Sequence, residues 1–344
     1  MICLITYFAQ LAILLANPLS LPSAYAASPQ SVTVYAYDAF TSEGALGPLM
    51  AKAFEKKFGI KTHYVGFATT GEALNQIALE GSHTHADLVV GIDNTLVKRA
   101  KDLQIFANWE SKDLLDVPPE LRFDPDRQFL PFDYGFVSLV YDQARGTTIP
   151  AGMTLSDFAK HPASKRRLIL EDPRTSSLGL AFLTWTHCLF GDEKSDSFWD
   201  ELAKTVVTTA PGWSGAYALF LRKEADFVVS YTTSPAYHRE KENKKSFRAV
   251  VFPEGNFRQI ESVGIIKYAS QLAAARQWGK FLLSTEIQAQ IPTSQWMYPA
   301  VGGTKLPASF LDLPKVTKVI QLEPSQVQAR TWLKKWVIKM SHLK

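Results

Sequence analysis

The chain has 344 residues, about twice the usual length of one domain, so two globular lobes are expected. Hydrophobic residues at 46% and charged residues at 20% exclude long disorder, collagen and a multi-span membrane protein. Lys+Arg number 37 against 33 Asp+Glu, and much of the excess lies in the tail, where Lys315, Lys318, Arg330, Lys334, Lys335, Lys339 and Lys344 face Glu323 alone, which is not the footprint of a nucleic-acid binder.

Residues 2–16 are almost wholly apolar, and Ser23-Ala24-Tyr25-Ala26 offers small residues where a signal peptidase reads, so residues 1–26 are expected to be a signal peptide cleaved after Ala26. The run is too short for a spanning helix, and Asn17-Pro18 interrupts it. No Lys or Arg precedes it, a departure from the usual first region of a signal. With Ala27 rather than a Cys directly after the cleavage point, a lipid anchor is not expected. Cys3 leaves with the signal and Cys188 remains alone, so the mature chain is expected to rely on its core rather than on a disulfide.

The mature part opens with the alternating strand Ser31 to Tyr37, followed by a helix from Gly47-Pro48 that Gly59 can end. The unit recurs as strand Lys61 to Val65, helix Gly71 to Glu80 begun by Thr69-Thr70, strand Asp87 to Ile92 and a helix from Asn94. Strand Phe136 to Tyr141 leaves this first lobe. Then follow strand Arg167 to Leu170, helices Ser177 to Phe190, Phe198 to Lys204 and Gly215 to Lys223, and strand Asp226 to Ser230. The stretches Phe247 to Phe252 and Glu261 to Ile266 carry the chain back. Helices Gln271 to Leu283 and Pro324 to Met340 are expected to pack on the first lobe, the latter through Val327, Trp332, Leu333, Trp336, Val337 and Met340.

Alternating strands and helices predict an α/β protein with mostly parallel sheets. The expected division is residues 27–134 for the first part of lobe 1, 135–259 for lobe 2 and 260–344 for the return to lobe 1, with hinges near Tyr134 and Gln259. Ligands of such folds sit beyond the carboxyl ends of the strands, here the loops at Tyr37-Asp38, Thr69-Thr70, Asp93-Asn94, Asp172 to Ser177 and Tyr231 to Pro235.

Several chemistries lack support. There is no phosphate-loop or dinucleotide Gly fingerprint. His83-Thr84-His85 reads as a solvated loop rather than a metal site, and His187 as a packed side chain of an apolar helix. No Ser stands in a nucleophile elbow, and Cys188 beside Leu189 and Phe190 reads as an inert core thiol.

The stretches Val34-Tyr35-Ala36-Tyr37-Asp38, Ala86 to Asn94, Pro131-Phe132-Asp133-Tyr134-Gly135, Glu171-Asp172-Pro173-Arg174-Thr175-Ser176, Gly212-Trp213-Ser214, Ser230 to His238 and Ile291 to Pro299 resemble, in this order and over essentially the whole mature chain, the periplasmic thiamine-binding proteins. The resemblance implies the two-lobed type II periplasmic binding-protein fold, with a ligand cleft between lobes joined by two hinge crossings. It implies a periplasmic, non-enzymatic carrier that captures thiamine, thiamine monophosphate and thiamine diphosphate. Delivery is to an inner-membrane ABC permease with its ATPase; neither cofactor nor nucleic acid is involved.

Thiamine presents a cationic thiazolium, a flat aminopyrimidine and a hydroxyethyl arm, so a site needs aromatic faces, a hydrogen-bonding edge and anion donors. Tyr37, Tyr237 and Trp296 resemble the family's ring-contacting residues. Tyr231, Thr232, Thr233, Ser234 and Pro235 offer backbone and hydroxyl groups to the pyrimidine edge, against the plainer reading of an ordinary loop. Ser176 and Ser177, at a helix start, suit the hydroxyl or phosphate end or serve as caps, and both roles are compatible. Trp213 either donates its indole N–H to that end or belongs to the core. Where the family places an acidic residue and Gly, this chain has Thr69 and Thr70, and the lost negative charge favours phosphorylated ligands. The alternatives are a ferric-ion or other small-solute carrier, weakened by Thr232 standing where a second Tyr is often found, and a thiaminase-like enzyme, weakened by the absence of Cys from the cleft loops.

Overall fold

Period-two alternation and helical three-and-four spacing sort the chain into strands and helices that carry its apolar side chains to two cores. The computed structural model describes residues 30–160, 167–321 and 329–341; the signal-peptide reading of residues 1–26 lies outside them. Eight strands form the main path: β1 (Ser31–Tyr37), β2 (Lys61–Phe67), β3 (Leu88–Asp93), β4 (Phe129–Asp142), β5 (Leu168–Glu171), β6 (Val206–Ala210), β7 (Phe227–Tyr231) and β8 (Asn256–Ile266), in the order β2-β1-β3-β8-β4-β7-β5-β6. β1 is parallel to β2 and β3, and β5 to β6 and β7, whereas β4 and β8 run antiparallel to their neighbours. The expected parallel character therefore holds among β1, β2 and β3 and among β5, β6 and β7, and fails where the two long joining strands β4 and β8 enter each lobe, because they run antiparallel to each other and to β7 and β3.

β4 changes partner in mid-strand. It pairs with β8 as far as Phe136 opposite Arg258, then with β7 from Val137 opposite Tyr231. The ladder of β4 thus passes from one partner strand to the next between consecutive residues, Phe136 and Val137.

The longer helices are α1 (Leu46–Phe58), α2 (Thr70–Glu80), α3 (Ser177–Leu202), α4 (Trp213–Leu221), α5 (Ser234–Glu242), α6 (Leu272–Leu282) and α7 (Ala329–Lys339). Gly59 ends α1 at φ 70°, its N–H on the Glu55 carbonyl at 2.8 Å, a conformation glycine adopts without the Cβ penalty. The two helices expected between Ser177 and Lys204 are continuous in α3 except at Gly191, whose φ of 71° kinks the chain there.

The lobe 1 core gathers Val34, Phe40, Phe54, Leu88, Phe132, Ile265 and Trp278, and the lobe 2 core gathers Phe158, Phe182, Trp185, Phe198 and Phe227. The C-terminal helix corrects the expected packing. Trp332, Trp336 and Met340 are buried in the lobe 2 core, whereas Leu333 packs against both cores and so keeps part of the expected contact with lobe 1; Val327 lies outside the described residues. The Trp332 indole N–H donates to Asp192 at 2.8 Å, and its ring stacks on His187 at 4.2 Å. Lys335 and Lys339 pair with Asp196 and Asp200 at 2.6 and 2.5 Å, so the acidic stretch of α3 sets the docking, and Val337 is left on the exposed side. Among the described residues no helix is long and apolar enough to cross a membrane.

Candidate functional site

The carboxyl ends of β1, β3, β5 and β7 bring Tyr37, Asp93, Glu171 and Tyr231 to the crossing between the lobes. Tyr37 is half-buried; its hydroxyl donates to Glu261 at 2.6 Å and accepts from the Gln295 amide. Gly91 lies under it. At φ +94° a Cβ there would stand 2.6 Å from the Tyr37 ring and 2.5 Å from the Thr70 hydroxyl, so only glycine lets these two groups approach the sheet.

Across the cleft floor the Tyr231 hydroxyl donates to Gln259 at 2.9 Å. The Gln259 amide in turn donates to Asp93 and, at 3.4 Å, to Ser177 at the first turn of α3. This network joins a side chain of lobe 2 to the ends of β3 and β8. Ser176 caps α3 by accepting from the Gly179 N–H at 3.2 Å, and Thr69 caps α2 by accepting from that of Glu72 at 3.2 Å. Both caps lie where the lobes meet. A Cβ on Gly212 would stand 3.0 Å from the Thr69 methyl, one on Gly71 would stand 2.6 Å from the Thr175 carbonyl, and Ser214 donates to Asp38 at 3.1 Å.

Trp213 opens α4 half-buried, stacked on Tyr217 at 5.0 Å. Its indole N–H donates to Ser230 at 2.8 Å, so of the two readings of Trp213 the protein here holds that proton itself. Ser230 shares a 2.7 Å hydrogen bond with Ser234, whose hydroxyl also accepts from the Tyr231 N–H at 3.3 Å. The expected loop from Tyr231 to Pro235 is thus a short turn, with Ser234 and Pro235 in the first turn of α5 and the Ser234 hydroxyl used internally. The Thr232 and Thr233 hydroxyls are buried with no protein partner. Tyr237, 37% exposed, meets Trp296 edge-to-face at 5.2 Å, and Lys241 Nζ lies 5.8 Å from the Trp296 ring centroid. Trp296 holds φ 59°, a left-handed backbone costly for a large side chain and typical of positions fixed by function.

Sequence reasoning placed Asp93 in a strand-end loop of the expected cleft but gave no site role to the other acids beneath this layer. Asp93, Asp133, Glu171 and Glu261 are all buried at the crossing. Burial pushes Asp93 up to about 6, opposed by hydrogen bonds from Thr95, Gln259 and Leu96, and Glu261 up to about 7, opposed by the bond from Tyr37. Burial, then the charge of Glu261, holds Asp133 well above the carboxylate range, and burial does the same to Glu171. The Tyr37 and Tyr231 hydroxyls are raised too, by burial and then by these acids. The available signal was a carboxylate inside each otherwise apolar strand run, a placement with a high desolvation cost.

Cys188 lies in α3, away from these residues, its thiol pushed up to about 11 by burial. His187 is packed as expected, and His83 and His85 are exposed. A separate recess of about 310 Å³, lined by Arg239, Arg248, Asp312 and others, shares only Pro235 with the candidate residues.

The family of bacterial extracellular solute-binding proteins matches residues 83–320. The chain is 37% identical over 308 residues to the thiamine-binding periplasmic protein of Salmonella typhimurium, across 89% of this chain and 92% of that one. A solved periplasmic thiamin binding protein is similar at a TM-score of 0.84 and 35% identity, covering 90% of this chain and 96% of its own. The apo ferric ion-binding protein A of Pasteurella haemolytica shares the fold at a TM-score of 0.73 and 18% identity, over 91% and 96% of the two chains.

Proposed function

Because the chain belongs to the bacterial extracellular solute-binding proteins, and among them to the family of the thiamine-binding periplasmic proteins, we propose that it captures thiamine and its phosphate esters in the cleft between its lobes and delivers them to an inner-membrane ABC permease with its ATPase. The family is periplasmic and binds solutes rather than transforming them. The observation that carries the ligand is the identity with thiamine-binding relatives along nearly the whole chain.

The site's chemistry supports the reading. Tyr37, Trp213, Tyr231, Tyr237 and Trp296 supply aromatic faces where the strands of both lobes end, and a cation over such a face gains about 0.5–2 kcal/mol. Buried Thr232 and Thr233 offer unpartnered hydroxyls to a polar ring edge. The first turns of α2 and α3, with Thr69, Thr70, Ser176 and Ser177, supply N–H groups and hydroxyls to the hydroxyethyl or phosphate end.

Calorimetric titration of ligand-stripped protein with thiamine, thiamine monophosphate and thiamine diphosphate tests it, with Trp213→Ala and Tyr237→Ala as controls. Submicromolar binding weakened by both substitutions is expected. Absence of binding to all three moves the ligand to another small solute.

A further inference from the structure

Glu261 on β8 stands directly opposite Asp93 on β3 and directly opposite Asp133 on β4. Residues paired across a ladder share one face of the sheet, with Cβ atoms about 4.5–5.5 Å apart. Three carboxyl groups therefore form a row on three adjacent strands, all of them buried. Glu171 of lobe 2, also buried, acts electrostatically with these three on Tyr231.

Among the described residues, none of these four acids forms an ion pair with Lys, Arg or His. The groups facing the row are Tyr37 on β1, whose hydroxyl donates to Glu261, Tyr231 on β7, and Gln259 on β8, which donates to Asp93. Thr95 adds a 2.7 Å hydrogen bond to Asp93. Both oxygens of Asp133 and both of Glu171 are buried without any hydrogen-bond partner. Acids this close in a low-dielectric interior cannot all ionise, so they must hold protons or a cation. An unpartnered buried carboxyl group is costly, and two of them, Asp133 and Glu171, beside two more buried acids at one crossing call for a reason beyond stability.

We infer that this row is the counter-charge for a monovalent organic cation held against Tyr37 and Tyr231, and that the cation enters in exchange for a proton from the row. The inference rests on the thiamine reading and specifies how the thiazolium charge is met. Among the described residues, no three His, Cys, Asp or Glu side chains are grouped so as to hold a metal ion, which suits a diffuse organic charge better than a point ion. The Tyr37 and Tyr231 hydroxyls are tethered to Glu261 and Gln259, so the rings that would meet the cation are fixed to the strands that carry the acids. Entry of a positive charge favours ionisation of the nearest acid, and the released proton leaves to solvent.

Calorimetry of the mature protein with thiamine near pH 7, in two buffers of different protonation enthalpy, counts protons released per ligand bound. Roughly one proton is expected in the wild type, a smaller release in Glu261→Gln and in Asp133→Asn, and none with thiochrome, an uncharged analogue. Thiamine binding without proton release in the wild type would overturn the inference and leave the thiamine reading standing. Equal release in the wild type and in both variants would place the proton elsewhere and overturn it too. Failure of thiamine to bind at all would instead remove the reading on which the inference rests.

Discussion

The Tyr37 hydroxyl donates a 2.6 Å hydrogen bond to Glu261, tying the end of the first strand to the strand that returns from lobe 2. Tyr37→Phe keeps the ring and deletes the hydroxyl, leaving a buried acid without its donor. We expect a loss of about 1–3 kcal/mol in stability by urea unfolding and only a modest loss of thiamine affinity. Tyr37→Ala removes the aromatic face as well and is expected to weaken thiamine by ~30-fold or more, the equivalent of about 2 kcal/mol. Equal affinities in the two variants would contradict a role for the ring.

The raised acids predict the direction of pH dependence in the ligand-free protein. Glu261 moves from 4.5 to about 7 and Asp93 from 3.8 to about 6 on folding, so between these values the folded chain binds more protons than the unfolded one. Stability from these groups is complete below the unfolded values and lost as pH rises through the folded ones, by roughly 3 kcal/mol for Glu261. Urea unfolding at pH 5 and pH 8 checks this by comparison with Glu261→Gln, whose loss between the two is expected to be smaller. An identical pH dependence in wild type and variant would count against the raised acid.

Much of this architecture is legible in the residues, because strands and helices are written in local periods. The run Ser31 to Tyr37 alternates and forms β1 over those same residues, and Thr69 and Ser176 announce the helices they cap. What the sequence conceals is partnership. The apolar face of α7 is plain in Trp332 and Trp336, yet nothing local says that Asp196 and Asp200, some 140 residues earlier, receive its lysines. Asp93, Asp133 and Glu261 look like isolated acids in three separate runs, and only strand pairing makes them neighbours. Trp213 likewise shows an indole donor without showing that Ser230 already accepts from it.

Gly91 provides a steric test of the cleft floor. A methyl group at this position meets the Thr70 hydroxyl at 2.5 Å and the Tyr37 ring at 2.6 Å, on a backbone at φ +94° that L side chains rarely adopt. Gly91→Ala is expected to destabilise the fold by about 1–3 kcal/mol and to weaken ligand binding at least ~10-fold by displacing Tyr37. Unchanged affinity would show that Tyr37 need not lie against the strand.

The packing of α7 on lobe 2 separates stability from binding. Trp336 is 3% exposed within the lobe 2 core and meets Trp199 edge-to-face at 6.4 Å. Trp336→Ala is expected to cost about 3–5 kcal/mol through the cavity it leaves. Thiamine affinity of the remaining folded protein should stay near that of the wild type, since Trp336 lies outside the cleft residues. Calorimetry beside thermal unfolding measures both, and a large fall in affinity would mean that α7 controls the cleft.

Thr69 isolates the effect of charge on ligand choice. Its hydroxyl caps α2 by accepting from the Glu72 N–H at 3.2 Å, and its methyl lies close to Gly212 of the other lobe. Asp serves as well as Thr in that capping role, so Thr69→Asp adds a negative charge while keeping the helix start. A carboxylate at this point repels a diphosphate and leaves the uncharged hydroxyethyl arm of thiamine unaffected in sign. The ratio of thiamine to thiamine diphosphate affinity is therefore expected to rise by ~5- to 50-fold, equivalent to about 1–2.3 kcal/mol of added repulsion at a partly screened site. Parallel titrations with the two ligands read this ratio directly. If it does not change, the phosphate end does not lie near the start of α2, and Ser176 and Ser177 at the start of α3 become the place to repeat the substitution.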